Sequence, residues 1–466
     1  MLVGCASMAP PYEAPPLAVA NRYPADAPAP DTGVVAASLG WREHFADPRL
    51  QRLIAQALEN NRDLRTAALR VEEARARHAI QRAERLPAVA VSADGSRSRT
   101  PGDLSIGGLP MTAGQYQVGF AMNTWELDFW GRVRSLQHAA LQDYLATDAS
   151  RRALAISLVA QVADGYLSLR ELDERVALAR RSIASREESL RIFTRRFEVG
   201  ATTRLDLTQV QTLLAQAQLL GAQLEQARAS QAHALATLIG NPVDLTQAHD
   251  RFDDSAVMEE LRAGLPSSLL TDRPDIVAAE HRLRAAHANI GAARAAFFPR
   301  VTLTGSFGTA SAELDGLFEP GSRAWSFAPS LSLPIFDAGR NRANLDLAQV
   351  RRELAVADYE KTVQTAFREV ADALSARQWL AEQVRIQGAA LAAHAERARL
   401  AKLRYDNGAV TFLEVLDAQR DLLAAEQQLV QNRRALLSAH VDLYAALGGG
   451  AQSLVLAAPV SSPLAQ

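Results

Sequence analysis

The sequence of 466 residues lacks the features that mark several large classes of protein. Its one cysteine, Cys5, can form neither an internal disulfide nor a cysteine-based zinc or redox motif. Fifty basic residues against 52 acidic ones leave a formal charge of -2, which argues against a nucleic-acid partner. No uninterrupted apolar run reaches the roughly 18 residues that a membrane-spanning helix needs, although strands of alternating polarity would escape this test.

Catalytic and metal-binding motifs are also missing. The nine histidines are scattered, and His281 and His287 lie six residues apart, off a common helical face. The sequence contains no His-Glu-x-x-His, no Walker loop and no Gly-x-Gly-x-x-Gly stretch. We therefore expect no enzyme activity, no catalytic residue, no metal and no cofactor.

The first 40 residues predict a tethered extension. Cys5 follows Leu2, Val3 and Gly4, and this tetrad resembles the bacterial lipobox, in which the cysteine is lipid-modified, for instance with palmitate. The basic and apolar regions that should precede it are missing, so we expect the start of this sequence to lie inside a longer signal peptide. The proline-rich residues that follow predict an extended strap. The alternative is a chance tetrad with an unmodified thiol.

The body of the chain is a duplicated unit. Residues 197–207 read FEVGATTRLDL, and 208 positions later residues 405–415 read YDNGAVTFLEV. A 208-residue period is too long for a solenoid and indicates an internal two-fold repeat. We expect a first repeat at 41–240, a linker at 241–272, a second repeat at 273–450 and a tail at 451–466.

Each repeat contains a candidate strand hairpin. The spacing predicts a helix over 61–86, a hairpin over about 87–126 and a second hairpin over about 299–335. Apolar and polar residues alternate along these strands, which is typical of an apolar-out, polar-in membrane sheet. Gly, Pro and Ser mark the connecting stretches 100–113 and 310–322 as loops.

Each repeat then continues as a long helical hairpin. Apolar residues at helical spacing, without proline, predict a long helix that begins near residue 132 and another that begins near residue 340. In each repeat the chain reverses at a glycine, Gly200 or Gly408, and continues as a second helix, which gives helical hairpins over about 132–239 and 340–447. The first arm of each would be roughly 90 to 100 Å long, far longer than a globular core requires.

Four strands cannot seal a membrane pore alone, because unpaired backbone groups in lipid cost several kcal/mol each. Closure must therefore be shared among subunits, although the strand arithmetic alone allows two, three or more of them.

At this point specific motifs identify a family. The sequence resembles the TolC-type outer-membrane efflux channels, in their NodT/OprM-like lipoprotein branch, over essentially all of residues 41–450. The motifs that carry the resemblance are Trp41 with FADP at 45–48, NRDL at 61–64, RPDI at 273–276, IGAARAAFFP at 290–299, LPIFDAGR at 333–340, YDNG at 405–408 and LDAQR at 416–420.

The resemblance implies an α+β membrane protein whose four strands join a trimeric, twelve-stranded β-barrel above a periplasmic tunnel of helical hairpins. It also implies an exit duct of a tripartite efflux system in the outer membrane, lipid-anchored, with a periplasmic adaptor and an inner-membrane pump as partners. The alternative is a periplasmic coiled-coil scaffold or adaptor protein that forms no pore.

The resemblance further implies a gate at the helical tips. Glu414 and Asp417 are the expected acidic constriction residues, with Arg420 beside them on one helical face. Asp206 occupies the matching place in the first repeat, and Tyr405 resembles the family's aromatic residue that links neighbouring hairpins. The alternative is that these are solvated coiled-coil charges at ordinary spacing.

The turns between the helical arms are the expected adaptor-docking tips. They comprise Gly200, Ala201 and Thr202 in the first repeat and Gly408, Ala409 and Val410 in the second. Glycine permits the chain reversal, and the small neighbours allow close approach of a partner helix. Ordinary turn chemistry explains the same residues equally well.

Overall fold

The computed structural model describes residues 8–16, 34–246, 256–258, 261–262 and 268–451. Cys5, most of the extension that precedes residue 41, much of the linker and all but the first residue of the tail lie outside the described residues. Predictions that concern those parts stay predictions.

Most of the described residues are helical, and a four-stranded sheet supplies nearly all the strand content. The helices are α1 (Trp41–His44), α2 (Pro48–Asn60), α3 (Arg62–Ala83), α4 (Arg132–Glu198), α5 (Arg204–Ile239), α6 (Leu269–Asp272), α7 (Pro274–Ala295), α8 (Arg340–Asp406) and α9 (Phe412–Ala446). The strands are β1 (Val34–Val35), β2 (Val89–Thr100), β3 (Met111–Leu127), β4 (Leu261–Arg262), β5 (Arg300–Ser311) and β6 (Arg323–Ser332).

The duplication is visible in the element lengths. Helices α4 and α8 have 67 residues each, and at about 1.5 Å per residue each is roughly 100 Å long. Helices α3 and α7 have 22 residues each, and α5 and α9 have 36 and 35. The predicted pair of strand hairpins and long helical hairpins is therefore confirmed.

The chain divides into two compact units that do not follow the repeat boundaries. Unit 1 comprises residues 1–17, 69–148 and 278–360, and unit 2 comprises residues 18–68, 149–277 and 361–466. Each unit thus takes a corresponding piece from both repeats, as expected when two copies of an element pack side by side.

Unit 1 contains the four-stranded antiparallel sheet, in the order β2-β3-β5-β6. The central pairing of β3 with β5 joins the two repeats, with a register shift between Met122 and Trp125. Strand β5 continues to Ser311, two residues into the stretch expected as a loop, because its last residue pairs with Tyr116.

An apolar row crosses all four strands of this sheet. Val91 pairs with Phe120, Phe120 with Phe307, and Phe307 with Trp325. Each of these side chains is more than half exposed. On the adjacent pairs the hydroxyls of Ser306 and Ser326 are 2.7 Å apart, which places polar groups on the opposite face. The predicted alternation is confirmed, and it leaves a wide apolar surface.

Unit 2 is a helical bundle with a small parallel pairing of β1 with β4 that the sequence did not predict. Its buried residues include Phe45, Leu50 and Ile54 near the first helices and Val363, Val370 and Leu374 on α8. No helix among the described residues is both long enough and apolar enough to cross a bilayer.

Candidate gate at the helical tips

The tips of the two helical hairpins share one turn geometry. Gly200 and Gly408 have φ values of 75° and 73°, a left-handed conformation that favours glycine. The amides of Ala201 and Ala409 donate to the carbonyls five residues earlier, at 2.8 Å in both repeats. This is the backbone pattern that closes a helix end with a glycine.

The helix starts that follow the turns differ between the repeats. In the first repeat the Thr203 side chain accepts from the Asp206 amide at 3.2 Å, and the Asp206 carboxylate accepts from the Thr203 amide at 3.2 Å. The Thr202 hydroxyl also donates to Asp206 at 3.0 Å. These hydrogen bonds, those from Thr203 above all, lower the pKa of Asp206. The carboxylate of Asp206 is therefore engaged in capping its own helix.

In the second repeat the matching acidic residue makes an ion pair instead. Thr411 lies at the same place as Thr203 but makes no side-chain capping hydrogen bond. The Glu414 carboxylate lies 3.2 Å from Arg404 across the turn, joining α9 to α8. Asp206 and Glu414 thus share a repeat position but not a structural role.

Further along α9, the expected constriction residues form an ion-paired chain. Arg420 lies 3.3 Å from Asp417 and 3.1 Å from Asp421. Asp421 also lies 2.7 Å from Arg397 of α8. The hydrogen bond from Arg397, followed by that from Arg420, lowers the pKa of Asp421. The structure therefore brings Asp417 and Arg420 together as expected, within a network that holds α9 on α8.

Aromatic packing joins the two hairpins at the same level. The Phe412 ring lies 4.6 Å from the ring of Phe193 on α4 and 4.9 Å from that of Tyr405 on α8. The guanidinium of Arg196 donates to the Tyr405 hydroxyl. Tyr405 thus links the two hairpins of one chain through Arg196 and Phe412.

A second polar layer ties α9 to the first hairpin away from the tips. Glu171 of α4 accepts from Arg175 at 2.9 Å and from Arg434 of α9 at 3.0 Å. Arg175 in turn donates to Gln427 at 2.6 Å. Gln427 and Arg434 lie 10 and 17 residues beyond Asp417, which corresponds to about 15 and 25 Å along the helix.

Sequence reasoning missed the partners that complete these networks. The sequence spacing does not distinguish these partners from other charged residues on a helix surface. Only the packing of the helices shows which charged side chains form pairs; the partners are Arg397, Arg404, Asp421 and Glu171. Among the described residues no three His, Cys, Asp or Glu side chains are grouped so that they could hold a metal ion.

A family model described as outer membrane efflux protein matches residues 53–241 and 265–449, one segment in each repeat. The chain belongs to the outer-membrane efflux protein family. This efflux protein is 46% identical to the outer membrane protein OprJ of Pseudomonas aeruginosa over 452 residues, which cover 97% of this chain and 94% of OprJ.

Two further similarities agree with that membership. The solvent efflux pump outer membrane protein SrpC of Pseudomonas putida is 43% identical over 454 residues, covering 97% of this chain and 96% of SrpC. The open state of the MtrE outer membrane channel of Neisseria gonorrhoeae matches this efflux protein with a TM-score of 0.87 at 41% identity, covering 96% of this chain and 98% of the MtrE chain. The family expected from the sequence motifs is therefore confirmed.

Proposed function

We propose that three copies of this chain form the outer-membrane exit duct of a tripartite efflux system. An inner-membrane pump and a periplasmic adaptor deliver small molecules to the duct, which performs no catalytic step. The observation that carries the proposal is the exposed row Val91, Phe120, Phe307 and Trp325 on an open sheet of a chain in this family.

The sheet supports closure by sister chains. Strands β2 and β6 form its two edges, and each has one side without a strand partner in the described chain. Edge strands with large apolar side chains would promote aggregation in water. In lipid, the backbone N–H and C=O groups along these edges would have no hydrogen-bond partner, which is energetically costly. Joining β6 of one chain to β2 of the next satisfies both edges and completes a twelve-stranded barrel.

Helix α3 supports the same assembly. Leu69, Ala76 and Ile80 lie along one face of the helix, and Leu69 and Ile80 are 62% and 67% exposed. Of the 22 residues of α3 only Val71 is buried. An apolar stripe this exposed indicates contact with a neighbouring subunit.

In the trimer the tips of the second hairpin form the gate. Threefold symmetry makes rings of Glu414, Asp417 and Arg420, in which carboxylates repel unless guanidinium groups hold them. The pairs Arg404–Glu414 and Arg420–Asp417 supply that compensation within each chain. Adaptor contact would move α8 and α9 outward and break the link from Arg196 to Tyr405 between the hairpins.

The polar layer around Glu171 supports a pivoting motion. It fixes α9 to α4 about 15 to 25 Å from Asp417, so the tip can swing while the bundle beyond it keeps its register. The turns 200–202 and 408–410 are the proposed adaptor contacts, because no side chain covers Gly200 or Gly408.

The anchor is proposed on the sequence alone, because Cys5 lies outside the described residues. A lipid on Cys5 would add a membrane attachment to that of the sheet. Intact mass of the protein from cells tests it, since a free thiol would reject the anchor.

Single-channel conductance in planar bilayers tests the duct and its gate. We expect Arg420→Ala to raise the closed-state conductance severalfold, because it removes the arginine that pairs with Asp417 and leaves Asp421 paired with Arg397 alone. Arg191→Ala is the matched control, since Arg191 pairs only with Glu188 of its own helix among the contacts described. An unchanged closed state in Arg420→Ala would reject the gate, and a wild-type protein that never conducts would favour the pore-less scaffold.

A further inference from the structure

Four connections between helices and strands lie along one edge of the four-stranded sheet in unit 1. They are residues 84–88, 128–131, 296–299 and 333–339, and we call them together the junction collar. Because neighbouring strands are antiparallel, the start of β2, the end of β3, the start of β5 and the end of β6 fall on the same side of the sheet. The junction collar therefore marks the level at which the sheet ends and the helices begin.

Hydrogen bonds from side chains tie neighbouring connections together. Trp125 Nε1 donates to the Arg85 carbonyl at 3.3 Å, between the first connection and β3. Trp130 Nε1 donates to the Pro299 carbonyl at 2.8 Å, between the second connection and the third. The Asn341 side chain, at the start of α8, donates to a carbonyl of the third connection at 3.3 Å. The junction collar is thus held together by its own contacts.

Three acidic side chains at this level are engaged within the chain. The Glu126 carboxylate is only 11% exposed, accepts from Arg132 at 2.8 Å and lies 2.6 Å from Arg300. Asp128 accepts from the first two amides of α4 at 3.1 and 2.8 Å. Asp337 accepts from two amides at the start of α8 at 3.0 and 2.9 Å. Arginine side chains and helix N-termini therefore offset these negative charges.

Several arginines at the same level remain exposed and without a carboxylate partner. Within the part of the chain that the structure describes, no carboxylate lies within ion-pair distance of Arg85, Arg294 or Arg340. The guanidinium of Arg85 makes one hydrogen bond, to the Gln137 amide oxygen at 3.1 Å. Of the acidic residues in the four connections, only Glu84 is exposed. The junction collar therefore presents an excess of positive charge to its surroundings.

The position of Arg340 shows that helix stability does not explain this excess. Its counterpart in the first repeat, Arg132, begins α4 and binds Glu126, which lies six residues earlier. Pro334 lies six residues before Arg340, so the second repeat has no such partner there. A cation at the first residue of a helix opposes the helix dipole. Arg294, in the last turn of α7, would by contrast stabilise its helix in any surroundings.

Large apolar side chains lie in the same four connections as these arginines. Each is more than two-fifths exposed, and they include Leu86, Phe129, Phe297, Ile335 and Phe336. Arginine beside aromatic and aliphatic side chains suits the boundary between hydrocarbon and headgroups, because the apolar groups contact acyl chains while guanidinium groups bind phosphate. The exposed apolar row of the sheet lies on one side of this boundary and the long helices lie on the other.

We propose that the junction collar binds anionic phospholipids, with the guanidinium groups of Arg85, Arg294 and Arg340 on the headgroup phosphates and the exposed apolar side chains against the acyl chains. A zwitterionic headgroup carries its own ammonium group, which the arginines repel, so a headgroup with net negative charge is favoured. The proposal rests on insertion of the sheet into the membrane, as the function proposed above requires, and it adds a class of lipid that the duct itself does not need.

Native mass spectrometry of the full-length protein tests this proposal. The protein is incubated in detergent with equal amounts of phosphatidylglycerol and phosphatidylcholine that carry the same acyl chains. We expect it to retain phosphatidylglycerol about tenfold more than phosphatidylcholine. The triple variant Arg85→Gln, Arg294→Gln and Arg340→Gln should lose most of this preference. Equal retention of the two lipids by the wild-type protein would overturn the proposal.

The matched control removes the same charge at another level of the chain. Three exposed arginines of α4 and α8 in unit 2 are replaced by glutamine, and each of them pairs with a glutamate three residues away on its own helix: Arg191, Arg385 and Arg399. We expect this variant to keep the preference for phosphatidylglycerol. An equal loss in both triple variants would mean that net charge alone attracts the lipid, and it would overturn the binding site.

Single variants of Arg340 separate lipid binding from a contribution to the fold. Arg340→Gln should reduce the preference severalfold without lowering the unfolding temperature, because it removes a charge that opposes the dipole of α8. Arg340→Lys keeps the charge and should retain most of the preference. A lower unfolding temperature in Arg340→Gln with no change in the preference would overturn the assignment of Arg340.

Conductance in planar bilayers separates this proposal from the duct. The triple variant of the junction collar should conduct as the wild-type protein does, because none of its arginines belongs to the gate. A wild-type protein that conducts without a lipid preference would overturn the binding site and leave the duct. A protein that prefers phosphatidylglycerol but never conducts would overturn the duct and leave the binding site.

Discussion

Helices α3 and α7 have the same length and the same place in the two repeats, but they are buried very differently. In α3 only Val71 is buried, whereas α7 buries eight apolar side chains within its own chain. They are Ile276, Ala278, Ala279, Leu283, Ala285, Ala288, Ile290 and Ala295. The two repeats thus contain helices of equal length, of which α7 belongs to the core of its own chain and α3 leaves an apolar face exposed.

The largest effect is expected from a charge on the exposed stripe of α3. Ile80→Glu should sharply reduce the trimer fraction in detergent, because each of three interfaces would lose about 2 kcal/mol or more of apolar burial. Size-exclusion chromatography with light scattering measures the fraction. The control Arg82→Glu adds a carboxylate on the nearly opposite face of α3, and equal assembly of the two variants would refute the interface.

Truncation of a buried side chain in α7 should act on stability instead. Leu283→Ala should cost about 2 to 5 kcal/mol, because Leu283 is 2% exposed and its removal leaves a cavity. Leu69→Ala on α3 makes the same chemical change on a side chain that its own chain leaves 62% exposed, so we expect a smaller loss of about 1 kcal/mol, from the proposed contact with a neighbouring subunit. Thermal unfolding of the solubilised proteins distinguishes them, and equal losses would remove the contrast between the helices.

The repeats also differ where α5 and α9 end. His440 and Tyr444 of α9 occupy places held by Ala232 and Ala236 in α5, and the Tyr444 ring stacks on His44 at 4.2 Å. Burial, assisted by the charge of His440, lowers the pKa of His44 to about 3. Burial, assisted by the charge of Arg377, lowers that of His440 to about 4. Both imidazoles are therefore neutral in the folded chain at neutral pH.

This neutral pair predicts loss of stability in acid. Below pH 6.5 His44 binds a proton in the unfolded chain but stays neutral in the folded chain. The free energy of unfolding therefore decreases as the pH is lowered, by about 2 kcal/mol at pH 5 for this one group. His44→Phe should flatten the dependence of the unfolding free energy on pH between 6.5 and 5. His233→Phe, at an exposed position of α5, should leave it intact, and an unaltered slope in His44→Phe would contradict the assignment.

The smallest effect is expected at the helix starts. Thr203→Ala removes the capping box of α5 and should destabilise its first turn by about 1 kcal/mol, whereas Thr411→Ala removes no capping hydrogen bond. Hydrogen exchange of residues 204–210 and 412–418 compares the two starts. Similar exchange changes in both variants would mean that the tips are equivalent.

Sequence periodicity was sufficient to predict the long helices and the strands, because the spacing of apolar residues within each element indicates its type. Alternation along Val301, Leu303 and Phe307 predicted β5, and helical spacing after Gly131 and Gly339 predicted the two long arms. The helix now bounded as α3 was predicted in the same way. Periodicity shows that a helix has an apolar face, but it does not show which chain covers that face.

The contacts of the candidate gate depend on information that no local pattern holds. Arg397 and Asp421 are 24 residues apart and meet only because the hairpin sets their register. Asp206 and Glu414 match by position, yet a threonine hydroxyl engages one and an arginine across the turn engages the other. The pairing of β1 with β4 joins segments more than 200 residues apart, each only two residues long.

The difference between the starts of α5 and α9 has a consequence for any protein that binds the hairpin tips. A threefold assembly of duplicated chains presents six helix starts, of which three have a threonine capping box and three have an arginine–glutamate ion pair in its place. A protein that contacts all six helix starts would therefore meet two different local structures in alternation.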